Sequence, residues 1–173
     1  DLRLCEPGNN HFSLRPNISA IQFGLNGEAP FPGSGGVVFS VRRSYLDLVY
    51  HAYGFAFVPE FWDGLMKASI PLSGEDKLTI LAVGAVDDFR FLNGTSKNRY
   101  ENSRMMFTDE NRITAAATWR HAFGIGYFTI SGVYGQTAHN YEQDDTDLAP
   151  LFTSRSKEWE STVKGDAAIY VTQ

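Results

Sequence analysis

The sequence predicts an all-β chain: an antiparallel up-and-down meander of the kind that builds a transmembrane β-barrel. Three observations predict it. Apolar residues alternate with a period of two in about seven places, while helical periodicity is poor almost everywhere. The connections between these runs alternate between short Pro/Gly-rich turns and long polar loops, as in barrels with short periplasmic turns and long extracellular loops. The composition is 43% hydrophobic, 20% charged and 14% aromatic, with a mean hydropathy of −0.25. Such values suit a barrel, because half of each strand faces a polar lumen.

Taken in order, the first run is 17–28, with Ile21, Phe23 and Leu25 opposing Gln22, Gly24 and Asn26. The second, 37–48, carries Arg42 and Arg43. In the third, 61–70, Trp62, Met66, Ala68 and Ile70 oppose Asp63, Lys67 and Ser69. The fourth, 77–87, is apolar on both faces and alternates least. In 111–121 the apolar face reads Ile113, Ala115, Ala117, Trp119. In 125–137 it reads Phe128, Ile130, Tyr134, and in 159–171 it reads Trp159, Val163, Ala167, Ile169. Runs of about 10–14 residues agree with the ~9–11 that a tilted strand needs to cross the hydrocarbon layer. Aromatic residues gather at run ends (Tyr45, Phe61, Trp62, Trp119, Trp159), where rings at headgroup level would sit.

Short turns are expected at 29–36, 71–76 and 121–124, and long loops at about 49–60, 88–110 and 138–158. The hairpin 61–91 therefore puts Ser73 to Asp76 at one end of the sheet and Asp87 and Asp88 at the other. The net charge of −5 argues against a nucleic-acid partner, which needs a basic face. The single cysteine, Cys5, forms no disulfide within the chain. No run reaches the ~20 apolar residues of a membrane helix, and no signal peptide is read. The chain starts at Asp1 without an initiator Met, as a mature form or a fragment does.

The stretch 39-FSVRRSYLDL-48 followed by 59-PEFWDGLMKASIPLSGEDKLTILAVGAVDDF-89 resembles the early barrel of TonB-dependent outer-membrane receptors. There a strand of the "RRSYLDL" type precedes an extracellular loop. A strand opening on Phe-Trp-Asp, a short turn and a returning strand with an acidic end follow. The upstream 23–40 resembles the strand-turn-strand before it. The resemblance covers about residues 17–90, and Gly74 stands where the family often has Pro.

The resemblance implies a bacterial outer-membrane transporter, not an enzyme, that captures a scarce or bulky nutrient (an iron chelate, a cobalamin or a glycan) and imports it with TonB-supplied energy. Residues 1–173 would be part of a barrel of about 22 strands, with the plug domain and the remaining strands elsewhere. Its partners would be that plug, TonB, outer-membrane lipids and, in glycan importers, a surface lipoprotein. No cofactor is implied.

Site candidates follow from position. Arg42 and Arg43, adjacent on a strand, point to opposite faces. One faces the lumen, where with Asp63 and Lys67 it is a candidate plug contact. Asp87, Asp88, Asp109 and Glu110 bracket the second long loop and are candidates for ligand contact at its base. The run 142-EQDDTD-147 only loosely resembles a calcium loop, lacking the sixth-position Gly and the terminal Glu. His11, His51, His121 and His139 have no metal-ligand spacing, and no GxSxG elbow, P-loop or GxGxxG occurs. Two other readings stay open: a soluble all-β carbohydrate-binding module or part of a surface glycosidase, and a passive porin. A soluble module needs partners for its apolar faces, which discriminates it from a barrel.

Overall fold

A computed structural model describes residues 11–33 and 35–170. They form one antiparallel sheet of eight strands in sequence order. The strands are β1 (Ser13–Ile18), β2 (Gln22–Phe31), β3 (Gly35–Ser44), β4 (Phe57–Pro71), β5 (Asp76–Phe91), β6 (Phe107–Phe123), β7 (Gly126–Asp144) and β8 (Pro150–Ile169). Two short helices lie in the connections at one end, α1 (Leu46–Tyr53) between β3 and β4 and α2 (Ser96–Ser103) between β5 and β6. The sheet does not close: its two edges are β1 and β8.

The predicted up-and-down order is the order found, and three details differ. The run 17–28 is divided between β1 and β2, because Ser19 to Ile21 make a turn in which the Ser19 N–H donates to the Gln22 carbonyl at 2.8 Å. The run 37–48 ends as a strand at Ser44, and α1 begins at Leu46. The expected loop 138–158 is mostly strand, since β7 continues to Asp144 and β8 resumes at Pro150. Long and short connections therefore do not alternate strictly. The Cys5 region lies outside the described residues.

Register decides what each face carries, since directly paired residues share a face. One rung reads Arg42, Asp63, Ala85, Arg112, Thr137, Glu158. The adjacent rung, on the other face, reads Arg43, Trp62, Val86, Asn111, Ala138, Lys157. Below it on that same face come Phe39, Met66, Ala82, Ala115, Tyr134, Ser161, and then Val37, Ala68, Ile80, Ala117, Gly132, Val163. One side of the sheet thus carries an apolar band, spanned by Trp62–Ile70 on β4, Leu78–Val86 on β5 and Trp159–Ile169 on β8, each with five or six residues on that side. The other side is mainly Ser, Thr and charged residues, such as Thr129, Ser131, Glu160, Thr162 and Lys164, with β5 the exception, where Leu81, Val83 and Ala85 stand.

Among the described residues no second layer covers the band. Among the described residues the buried apolar side chains are Ala56, Val58, Ala68 and Phe107. Trp159 is 70% exposed and Val163 80%. Cohesion comes from the ladder itself and from cross-strand pairs. Gly27 lets the Phe39 ring lie against the neighbouring strand: a Cβ there would stand 2.4 Å from Phe39 Cζ.

At the helical end the rings of Phe57, Phe91 and Phe107 meet, with Phe91 and Phe107 edge to face at 4.1 Å. Tyr50 of α1 joins Phe57 at 5.6 Å. The Thr95 hydroxyl caps α2 by accepting from the Asn98 N–H at 3.1 Å, and Gly54, at φ 71°, closes α1 in the left-handed region that favours glycine. Neither helix is long and apolar enough to cross a membrane, a statement that does not bear on strands.

Candidate functional site

The expected site residues fall on strands, not in loops, and the pleat sorts them between the two faces. Asp87 and Asp88 belong to β5, and Asp109 and Glu110 to β6. This corrects their placement at a loop base: the strands run on past the apolar band, so all four stand on extended backbone.

On the polar face Arg42 reaches straight across to Asp63, with Nη2 to Oδ1 at 2.7 Å and Nε to Oδ1 at 2.7 Å. β3–β4 register makes them direct partners. The charge offered as a plug contact is thus met within the sheet. Lys67, on the same face two rungs below, is 8% exposed. Toward the helical end follow Asp87 and Glu110, themselves direct partners. Arg112 approaches Glu110 at 2.5 Å, and His139 Nδ1 lies 3.5 Å from it. Asp87, above the band, is raised from the ordinary carboxylate range, first by burial and then by the Glu110 charge. The upper polar face therefore carries Asp63, Asp87 and Glu110 against Arg42 and Arg112.

On the opposite face Arg43 is the centre of a network just above the band. It donates to Glu60 Oε1 at 3.0 Å and to Asp47 of α1 at 3.3 Å. Arg90 donates to the other oxygen of Glu60 at 2.9 Å. The Trp62 indole N–H donates to Glu60 at 3.3 Å, and the Arg43 guanidinium stands 5.5 Å from that ring's centroid. The hydrogen bond from Arg43, aided by Trp62, holds the Glu60 carboxyl below its usual range. Asp88, on this side, is raised by burial and then by neighbouring Asp109. Asp109 itself accepts the Phe89 N–H at 3.1 Å. The four acids that bracket the β5–β6 connection are therefore two pairs on opposite faces.

At the turn end, below the band, Asp76 receives Ser73 Oγ at 2.7 Å, His121 Nδ1 at 2.8 Å and the Trp119 indole N–H at 3.0 Å. These donors, Ser73 first, lower its pKa. The Trp119 ring thereby has its apolar body on the band and its N–H at the polar boundary, the position amphipathic rings take at membrane interfaces.

Sequence reasoning missed Glu60, Arg112, Asp76 and His121. Each acts through a partner on a neighbouring strand, and only register shows who that is. Among the described residues no three His, Cys, Asp or Glu side chains form a metal cage. Comparison of the chain with protein-family models, curated proteins and solved structures finds no match.

Proposed function

We propose that this chain is a stretch of the wall of a bacterial outer-membrane β-barrel, and that the barrel is a TonB-dependent receptor. One observation carries the membrane reading: a single sheet presents an apolar band on one face, mainly polar residues on the other and, among the described residues, no second layer over the band. A soluble sandwich hides such a face against a second sheet about 10 Å away. A lipid bilayer covers it without one. The band is as deep as a tilted strand needs. Its upper limit is marked by Trp62 with Arg43 and Glu60, its lower limit by Trp119 with Asp76 and His121. Both rims are polar, and both hold an indole.

The step from barrel to receptor rests on the resemblance of residues 17–90. Unpaired backbone groups are not tolerated in lipid, so in this reading the free edges of β1 and β8 pair with further strands of the same polypeptide. The protein makes no bonds. It captures a scarce or bulky nutrient at the helical end, where α1, α2 and the β7–β8 turn lie, and releases it by rearranging a plug against the polar face. Arg42 with Asp63 and Arg112 with Glu110, already paired, are then neutral parts of the wall, and Asp87 is the acid that remains for contact with plug or solute.

The intact mass of the natural polypeptide in detergent-extracted membranes tests this. A mass of roughly 70–110 kDa fits about 22 strands with loops and a plug. A mass near 19.3 kDa, or recovery from the soluble fraction, refutes the receptor and returns the reading to a small autonomous β-module.

A further inference from the structure

We propose that the apolar face holds a site for one lipid: an alkyl chain laid over Gly64 and Gly84, under a zwitterionic head that carries an ammonium and a phosphate. The site rests on the membrane reading and not on the receptor reading. Gly64 and Gly84 are direct partners on β4 and β5, in a rung that reads Val41, Gly64, Gly84, Ile113. Nothing within the described residues calls for glycine there. The glycines with positive φ are Gly33 and Gly54. A Cβ on Gly64 would stand 3.7 Å from the Ser40 carbonyl oxygen, and one on Gly84 3.6 Å from that of Arg112, both ordinary contacts. The ladder passes through both positions without a bulge. Glycine inside a strand weakens it and often marks the close approach of something else.

The two bare positions leave a trough of about 370 Å³, inside the ~300–1,000 Å³ range of ligand pockets. Val41 and Ile113 form its sides, and Trp62 and Val86 stand over its upper end. Val41 and Ile113 are 45% and 49% exposed, so these walls lack a cover among the described residues. The trough is two strands wide, about 10 Å at ~4.8 Å per strand, which suits an extended alkyl chain. It is continuous with the band and lies one step below Trp62, at the band's upper end. The part of a lipid found at that depth is the chain next to its head. A chain in the trough therefore sets its head at the polar rim.

The rim carries both signs of charge. On the same face Asp88 stands one step above Val86, and Asp109 one step above Asn111. Asp88 forms no ion pair among the described residues, and Asp109 spends one oxygen on the Phe89 N–H. Beside them Glu60 already holds Arg43 at 3.0 Å and Arg90 at 2.9 Å. The Arg90 side chain is still 63% exposed. Lys157 lies in the rung of Trp62 and Asn111, just past Ala138, and pairs with no carboxylate among the described residues. A head of one sign meets repulsion from half of this rim, whereas a zwitterion meets both halves. An ammonium N–H donates to Asp88 and Asp109, which a quaternary ammonium cannot do. The phosphate then falls to Arg90 and Lys157, and both charges gain from a partner at the edge of low dielectric.

The test is native mass spectrometry of the natural polypeptide carrying this chain, extracted from membranes in a neutral detergent. It is equilibrated with phosphatidylethanolamine, phosphatidylcholine and phosphatidylglycerol, in equal amounts and with the same chains. The expected result is one phosphatidylethanolamine retained in preference to the other two. Gly84→Leu fills the trough and lowers that retention about tenfold, as leaving roughly two methylenes uncovered would. Gly132→Leu, on the same face two strands away and with open space at its Cβ, keeps it. Asp88→Asn keeps a bound lipid and loses the preference for phosphatidylethanolamine over phosphatidylcholine. Equal retention of the three lipids by the unaltered protein overturns the proposal. So does unchanged retention in Gly84→Leu, an equal loss in Gly132→Leu, or a dimer mass that Gly84→Leu abolishes. Recovery of the polypeptide in the soluble fraction without detergent overturns the membrane reading, and the lipid site with it.

Discussion

Arginine placed at Ala115 separates a membrane wall from a water-facing sheet. Ala115 is exposed on the apolar face, between Ala82 and Tyr134 on the flanking strands. Asn111 at the upper limit and Trp119 at the lower are each four residues away along β6, about 14 Å at ~3.4 Å per residue. An arginine arm does not reach either rim. In a bilayer the charge stays near mid-depth, where Arg on the lipid face of a barrel costs about 2–4 kcal/mol. At 1.4 kcal/mol per tenfold that is roughly a 30- to 700-fold loss in the folding equilibrium. The companion is Ala116→Arg, one residue on and therefore on the polar face, beside Leu81 and Val133, where the same side chain can stand in water. The assay is reversible urea unfolding of the natural polypeptide in lipid vesicles, followed by tryptophan fluorescence. The expected result is a large cost for Ala115→Arg and a cost below about 1 kcal/mol for Ala116→Arg. Equal costs for the two, or a negligible cost for Ala115→Arg, would refute a lipid-covered band.

Two further outcomes test packing and charge. Gly27→Val places a Cβ within 2.4 Å of the Phe39 ring, so overpacking costs about 1–3 kcal/mol; in the same urea assay Phe39→Ala in that background should restore part of the loss, and an additive double variant contradicts the contact. Asp88→Asn should raise the melting temperature at neutral pH and not at low pH. The folded pKa of Asp88 lies above its unfolded value because of burial and Asp109. Ionisation therefore costs the folded state stability as pH rises through that window, and below it both states are protonated and the asparagine gains nothing. A gain that persists below the ordinary Asp range would show that charge is not its cause.

Much of the fold was legible because strand alternation is local. Trp62, Met66, Ala68 and Ile70 share a face for no reason beyond the two-residue pleat, and so do Trp159, Val163 and Ala167. The opposite facing of Arg42 and Arg43 follows in the same way, as does the turn from Ser73 to Asp76. Strand ends were harder. The runs stop alternating apolar with polar where the band stops, yet the backbone ladder continues through polar residues on both faces, as at Asp87 to Phe91 and Ala138 to Asp144. Hydrophobic pattern marks burial in an apolar medium, not the end of hydrogen bonding. The break at Ser19 to Ile21 was hidden because it leaves the apolar rhythm of Phe23 and Leu25 intact.

By itself the sequence determined an all-β chain, the order of its strands and the two-faced character of each, since those depend on neighbours in the chain. Only the tertiary structure decided who stands beside whom. It set Arg42 against Asp63 and Arg43 against Glu60. It sent Asp87 with Glu110 to one face and Asp88 with Asp109 to the other. It also folded α2 so that Asn102 donates to the Ala56 carbonyl and Gln143 of β7 to the Ser103 carbonyl. These are contacts between residues far apart in the chain, fixed by inter-strand register, and a shift of one residue would have exchanged every face.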